Sequence, residues 1–247
     1  MSLSGPLAVI ADIHGNALAL AAVLDDIAAL GVTRVVNLGD VFSGPMDPAG
    51  VWDLLKGRDI LTVRGNHDRA LVDFAPEEMW ETDRLTHGLL PAEAFDWIRA
   101  LPAEARLEGV YLCHGTPGQD DVYWAELVEG GRMVPAPPDR IEALAGPVTE
   151  GLMLCGHTHI PRVVRLRDGR LLVNPGSVGC PGYTDDRAPA HVMMTGTPTA
   201  SYAVVEAGTA GWSVTHRSVC YDWDAAAEQA RGHGRADWAK VVGTGWL

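Results

Sequence analysis

The hydrophobic positions of this chain fall into short runs, and the residues that follow those runs share one chemistry. Leu7 to Ala11 leads into Asp12-Ile13-His14, Arg34 to Leu38 into Gly39-Asp40, and Ile60 to Arg64 into Gly65-Asn66-His67-Asp68. Val110 to Cys113 leads into His114-Gly115, and Leu152 to Cys155 into Gly156-His157-Thr158-His159. Uninterrupted apolar runs of this length predict strands buried on both faces. Between them, helical periodicity predicts helices over Ala17 to Leu30, Pro48 to Lys56, Ala92 to Leu101 and, shorter, Arg140 to Ala145. Asn16 is placed to cap the first of these and Gly31 to end it. Strands alternating with helices imply a sheet with crossover connections, whose sites form beyond the carboxyl ends of the strands.

After about residue 160 the texture changes. Val163 to Arg167 and Arg170 to Val173, joined at Asp168-Gly169, predict a hairpin, and 190–195, 200–206 and 212–219 predict further strands of a second, largely antiparallel sheet. The tail from about residue 221 is Ala-rich and reads as helix, fraying at Gly243-Thr244-Gly245 and carrying no motif. Two loop-rich insertions, about 70–100 and 117–150, punctuate the alternation. There is no internal repeat and no long linker, so residues 1–247 read as one domain.

Composition narrows the class. With 47% hydrophobic and 21% charged residues, 28 Gly and 16 Pro, the chain reads as globular and loop-rich, neither disordered nor fibrous. Nineteen basic against 32 acidic residues give a net charge of −13, which disfavours long nucleic acids and anionic membranes as partners. The longest apolar stretch, Ala17 to Leu30, is cut by Asp25 and Asp26, so no membrane span is expected. No basic stretch precedes an apolar one at the N-terminus, and cytoplasm is the expected compartment. Cys113, Cys155, Cys180 and Cys220 lack C-x-x-C spacing and read as buried reduced thiols.

Asp, Asn and His at strand ends are the ligand types that divalent Mn, Fe, Zn or Ni accept, and a carboxylate can bridge two ions. Taken singly the motifs are weak: Asp-x-His recurs by chance, and a strand-terminal Gly-Asp is ordinary turn chemistry. Gly65-Asn66-His67-Asp68 is sharper, expected by chance in roughly one such chain in a thousand. Five of the nine histidines lie just past predicted strands, where core packing does not explain them.

The ordered series Asp12-Ile13-His14-Gly15-Asn16, Gly39-Asp40, Gly65-Asn66-His67-Asp68, Cys113-His114-Gly115 and Gly156-His157-Thr158-His159 resembles the calcineurin-like metallophosphoesterase superfamily over about residues 7–180. Asn174-Pro175-Gly176-Ser177 adds a likeness to its compact bacterial and archaeal phosphodiesterase branch. The resemblance implies a four-layer α/β/β/α sandwich of two packed mixed β-sheets flanked by helices. It further implies two divalent metal ions, one held by Asp12, His14 and His159, the other by Asn66, His114 and His157, with Asp40 bridging. A hydroxide shared by the two ions would attack phosphorus, and His67 would stabilise charge or protonate the leaving oxygen. The implied activity is hydrolysis of phosphodiesters of small or nucleotide-like substrates. Alternatives are a phosphomonoesterase or protein phosphatase, a dinucleoside-polyphosphate hydrolase, and a non-catalytic scaffold of the same fold.

One departure bears on specificity. The superfamily's protein phosphatases carry Gly-Asp-x-x-Asp-Arg-Gly, whereas this chain reads Gly39-Asp40-Val41-Phe42-Ser43-Gly44-Pro45. The phosphate-clamping Arg is absent, and His67 is left to find an acidic partner, with Asp68 and Asp47 as candidates. Arg64 reads as a structural ion pair before a substrate contact. Ser177 lacks the Gly-x-Ser-x-Gly elbow of a nucleophile and reads as bracing the metal loops. No P-loop lysine exists, since Lys56 and Lys240 are the only lysines. Phe42, Trp80, Tyr123 and Trp124 are expected mainly to pack, with base stacking as the rival role. His87, His191, His216 and His233 are expected to do nothing special. A closed structural zinc site fits badly, because it favours thiolates.

Overall fold

The computed structural model describes residues 3, 5–146 and 148–247. In chain order the elements are β1 (Leu7–Ile10), α1 (Ala17–Ala29), β2 (Arg34–Asn37), α2 (Pro48–Leu55), β3 (Leu61–Thr62), α3 (Asn66–Asp73), α4 (Glu81–His87), α5 (Ala92–Ala100), β4 (Glu104–Leu107), β5 (Val110–Cys113), β6 (Glu126–Glu129) and β7 (Arg132–Pro135). There follow α6 (Pro138–Ala145), β8 (Leu152–Leu154), β9 (Arg162–Arg165), β10 (Leu171–Asn174), β11 (Gly182–Asp185), β12 (His191–Met194), β13 (Ala200–Gly208), β14 (Gly211–Val219), α7 (Trp223–Gly232) and α8 (Ala236–Thr244).

Two five-stranded mixed sheets dominate, in the orders β14-β13-β1-β2-β3 and β4-β5-β8-β10-β9. Their central strands run parallel, β1 with β2 and β3 in the first and β5 with β8 and β10 in the second, flanked by antiparallel strands. The pleat sorts side chains into layers. Leu7 and Val9 join Val110, Leu112, Leu152, Leu154 and Val173 in the core between the two sheets. Ala8 and Ile10 face the other way, onto Leu20, Val23 and Ile27 of α1, Val51 of α2 and Ile98 of α5. Tyr111, Met153 and Leu172 turn outward onto Ile141 and Ala145 of α6. The layers are therefore α/β/β/α.

The two packed mixed sheets are as expected, but the separate antiparallel sheet expected after residue 160 needs correcting. The later strands divide among three sheets: β9 and β10 complete the second, β13 and β14 extend the first, and β12 enters a small third sheet in the order β11-β12-β7-β6. β13 pairs antiparallel with β1 over Leu7↔Val205 to Val9↔Ala203, so alternation near the chain's end serves a sheet begun at its start. The hairpin of β6 and β7 turns at Gly130-Gly131, both at positive φ (57° and 74°), a two-glycine hairpin signal present in the sequence. The tail is helical, as α7 and α8, but Gly243 lies inside α8, which ends on left-handed Gly245 instead of fraying. Both helices pack on Met46 and Leu18 beside the first motif loop.

Candidate metal centre

Each parallel strand delivers its motif at one shared end of the two sheets. Beyond β1 and β2 the loops continue to pair: Asp12 N–H donates to Gly39 O (2.9 Å), His14 N–H to Asp40 O (3.0 Å) and Gly15 N–H to Val41 O (3.1 Å). Five non-glycine residues here adopt positive φ: Asp12 (54°), His14 (49°), Asp40 (53°), His157 (68°) and His159 (58°). A left-handed backbone is unfavourable for such residues, and its concentration here indicates strain held by the surroundings for a functional purpose. Close backbone approach requires glycine beside them. A Cβ on Gly44 would stand 1.7 Å from His14 O, and one on Gly65 2.6 Å from Asp40 N.

Two groups of side chains converge: Asp12, His14 and His159, and Asp40, His114 and His157. His14 Nε2 lies 3.1 Å from His159 Nε2, His159 Nε2 3.4 Å from Asp12 Oδ1, and His114 Nε2 3.1 Å from Asp40 Oδ2. Asp40 Oδ2 also lies 4.0 Å from His14 Nε2, and Asp12 Oδ1 4.0 Å from His114 Nε2, so each carboxylate faces both groups. Asn66, at the start of α3, turns a buried Oδ1 with no hydrogen-bond partner, and His114 Nε2 and His157 Nε2 are equally orphaned. Buried polar atoms without partners are rare, and here all three are lone-pair donors of ligand type. The donor set fits divalent cations.

The tautomers are set from behind. His14 Nδ1 donates to Ser43 O (2.6 Å), His114 Nδ1 to Leu38 O (2.7 Å) and His159 Nδ1 to Cys180 O (2.8 Å). Each leaves Nε2 to act as a metal ligand in the neutral ring, the outer-shell arrangement typical of metal-binding histidines. Burial and the neighbouring His159 push His14 down to about 4, and burial and His114 push His157 down to about 3. Against the opposing effect of burial, the Asp40 charge holds His114 up to about 9, and the Asp12 charge holds His159 well above its ordinary value.

His67 stands beside these groups, its ring centroid 5.5 Å from that of His14. Its acidic partner is neither Asp68 nor Asp47. Asp68 instead accepts from the backbone N–H of Asp40 (2.8 Å), Val41 (2.9 Å) and Gly65 (3.1 Å), pinning the Asp40 turn, while Asp47 caps α2 through Gly50 N–H. The partner is Asp83 of α4, fully buried, whose Oδ1 lies 2.8 Å from His67 Nδ1. Although burial opposes it, the charges of Asp83 and Asp40 raise His67 to about 9.

The groups floor a cleft of about 600 Å³ whose walls include Trp80, Tyr123, Tyr183, Arg187, Arg235 and Trp238. Two of these lie in or beside α8, so the tail expected to carry no motif supplies part of the wall. Trp80 and Tyr123 face the cleft, whereas Phe42 (0% exposed) and Trp124 (1%) belong to the core. Arg64 lines a separate cavity with Arg69 and Asp120, and no ion pair of it occurs among the described residues. Ser177 does brace the loops: its Oγ donates to Asp12 O (2.7 Å) and accepts from Cys180 N–H (2.8 Å). Cys113, Cys155 and Cys180 are buried free thiols, while Cys220 is exposed.

Residues 6–208 match the calcineurin-like phosphoesterase superfamily domain. The chain belongs to that superfamily. It shares 26% identity and a TM-score of 0.75 with a metallophosphoesterase from Sphaerobacter thermophilus, covering 99% of this chain and 100% of that one. A hypothetical protein from Pyrococcus horikoshii OT3 has the same fold, with a TM-score of 0.74 at 21% identity over 98% of both chains. An uncharacterised protein of Methanocaldococcus jannaschii is 29% identical over 198 residues, 71% of this chain and 76% of that protein. Membership in this superfamily points to a metal-dependent phosphoesterase. Among the described residues no helix is long and apolar enough to cross a membrane.

Proposed function

We propose that the chain hydrolyses phosphodiesters of small or nucleotide-like substrates, with two divalent cations held by Asp12, His14 and His159 and by Asn66, His114 and His157, and Asp40 between them. The observation that carries this reading is the convergence of Asp12, His14 and His159 and of Asp40, His114 and His157, with the buried Asn66 Oδ1 and His157 Nε2 without hydrogen-bond partners in the same cleft. Divalent cations there supply Lewis-acid polarisation of the phosphoryl group and acidification of a water.

The chain's own residues do the rest. Carbonyl contacts from Ser43, Leu38 and Cys180 keep three imidazoles in ligand orientation before any cation arrives. His67 carries a proton at neutral pH, and Asp83, bonded to Nδ1, turns Nε2 toward the cleft, where it serves as the general acid for the leaving oxygen. A diester is favoured over a monoester because both guanidiniums of the cleft are already engaged: Arg187 by Asp185, and Arg235 by Asp237. With their charge already offset by those carboxylates, they have less to give the second negative charge of a monoester.

Turnover of bis(p-nitrophenyl) phosphate, abolished by a chelator and restored by Mn²⁺, is the expected result; no hydrolysis with any divalent ion would overturn the reading. His67→Ala should retain bound metal and lose roughly 10²- to 10⁴-fold in kcat, read by metal analysis beside steady-state kinetics.

A further inference from the structure

The walls around the candidate metal groups are rich in carboxylates. Besides the candidate ligands, the cleft is lined by four carboxylates, Glu81, Asp185, Asp186 and Asp237, against two guanidiniums. Arg187 is held by Asp185 through Nε and Nη2 and lies over the Trp80 ring, 4.7 Å from its centroid. Arg235 is held by Asp237 at 2.6 and 3.0 Å and donates to Thr82 Oγ1 at 2.5 Å. Both guanidiniums are thus engaged by carboxylates, Arg235 also lying 3.9 Å from Glu81, and four carboxylates against two guanidiniums leave the wall net negative.

An independent feature points the same way. His191 Nδ1 lies 2.9 Å from Pro189 O, an atom that only accepts, so in the neutral ring Nδ1 carries the proton and Nε2 accepts. Tyr123 O–H then donates to His191 Nε2 (2.9 Å), and Tyr183 O–H donates to Tyr123 Oη (3.0 Å). The chain of bonds has one direction. Tyr183, which lines the cleft with its ring 4.9 Å from that of His159, has its only proton committed and offers lone pairs alone. His191 is buried at 6% exposure and lies in the third sheet, so a histidine outside every motif polarises the cleft wall.

Building on the phosphodiesterase reading, we infer that the cleft selects esters bearing a single phosphate whose alcohol part donates hydrogen bonds and carries no further negative charge, such as a polyol or an amino alcohol. It selects against polyphosphates. A second phosphate would lie against a wall with more carboxylates than guanidiniums and a hydroxyl whose proton is engaged, and like-charge contacts of this kind reject a ligand strongly. Tyr183 is a specificity residue, and His191 is a positioning residue that acts through Tyr123.

The test uses the Mn²⁺-loaded protein with three unactivated probes: glycerophosphoethanolamine, diadenosine tetraphosphate and ATP. The single-phosphate ester should exceed both polyphosphates in kcat/KM by roughly ten-fold or more. Asp186→Lys should narrow that ratio. Tyr183→Phe and His191→Phe should each raise KM for glycerophosphoethanolamine several-fold with a smaller change in kcat, whereas a merely structural defect would lower kcat for all three probes in parallel. Faster turnover of either polyphosphate, or ratios untouched by all three substitutions, overturns the inference while leaving the phosphoesterase reading standing. Failure to hydrolyse any ester, bis(p-nitrophenyl) phosphate included, overturns both.

Discussion

His67 shows how one residue's role depends on a partner far from it in sequence. Asp83 lies sixteen positions on, fully buried, and reaches Nδ1 from the first turn of α4. A carboxylate in that position fixes the ring's orientation and favours its protonated form, and both effects serve a general acid. Replacing it with an isosteric amide keeps the shape and removes the charge. Asp83→Asn should therefore lower kcat about ten-fold or more with little change in KM, and its pH–rate profile should lose activity at lower pH than the parent as His67 deprotonates earlier. An unchanged kcat and profile would assign Asp83 to packing. Candidate ligands were legible residue by residue because each stands within a contiguous motif at a strand end. Asp83 was not, because nothing in Glu81-Thr82-Asp83 distinguishes it from the acidic residues that commonly open a helix.

Elements were legible where apolar runs are long and illegible where they are short. The strands β1, β2, β5 and β8 announce themselves as buried runs, whereas β3 keeps two residues and β4, β6 and β11 pair along edges with mixed exposure. Sheet membership was hidden for a different reason: β13 joins β1 across nearly the whole chain, and local periodicity carries no information about such pairing. The cap on α1 was readable and proves to do more than expected. Asn16 accepts from Ala19 N–H (3.1 Å) and donates to Gly179 O and Tyr221 Oη (both 3.2 Å), joining α1 to the loop after β10 and to the tail. Asn16→Ala should cost about 2 to 3 kcal/mol, the cap plus a buried carbonyl left unpaired, read as a lower urea midpoint at unchanged slope. A second tie is pH-sensitive. Asp26 of α1 accepts from Arg217 of β14 (2.7 and 2.9 Å) and Tyr202 of β13 (2.6 Å), and the Arg217 bonds foremost lower its pKa. A depressed carboxylate stabilises the fold above its unfolded value of about 3.9 and loses that contribution as pH falls through the folded value. The gap in thermal midpoint between parent and Asp26→Asn should thus be present at pH 7 and shrink as pH falls below about 4.

At the scale of the molecule, the proposed cations sit where the two large sheets meet. Asp12, His14, Asp40 and Asn66 hang from strands of the first sheet, and His114, His157 and His159 from strands of the second, so each cation would be held by both. A chain of net charge −13 places two buried carboxylates at that seam, and the proposed dications would change the formal charge where a phosphate would approach. On the proposed reading the acidic surface would disfavour long polyanions without disfavouring a small ester. Cations bound to the folded state alone add stability by mass action, about 4 kcal/mol for one site at a thousand times its Kd. For a chain of this size that corresponds to a thermal midpoint raised by about 8 to 16 °C. Chelation should therefore lower the midpoint by an amount of that order, with Mn²⁺ restoring it in step with activity. The size of the fall measures how the seam is held. The carbonyl clamps fix the rings of His14, His114 and His159 from the backbone. If metal is lost and the midpoint stays put, those clamps hold the two sheets in register unaided, and the cations serve chemistry alone.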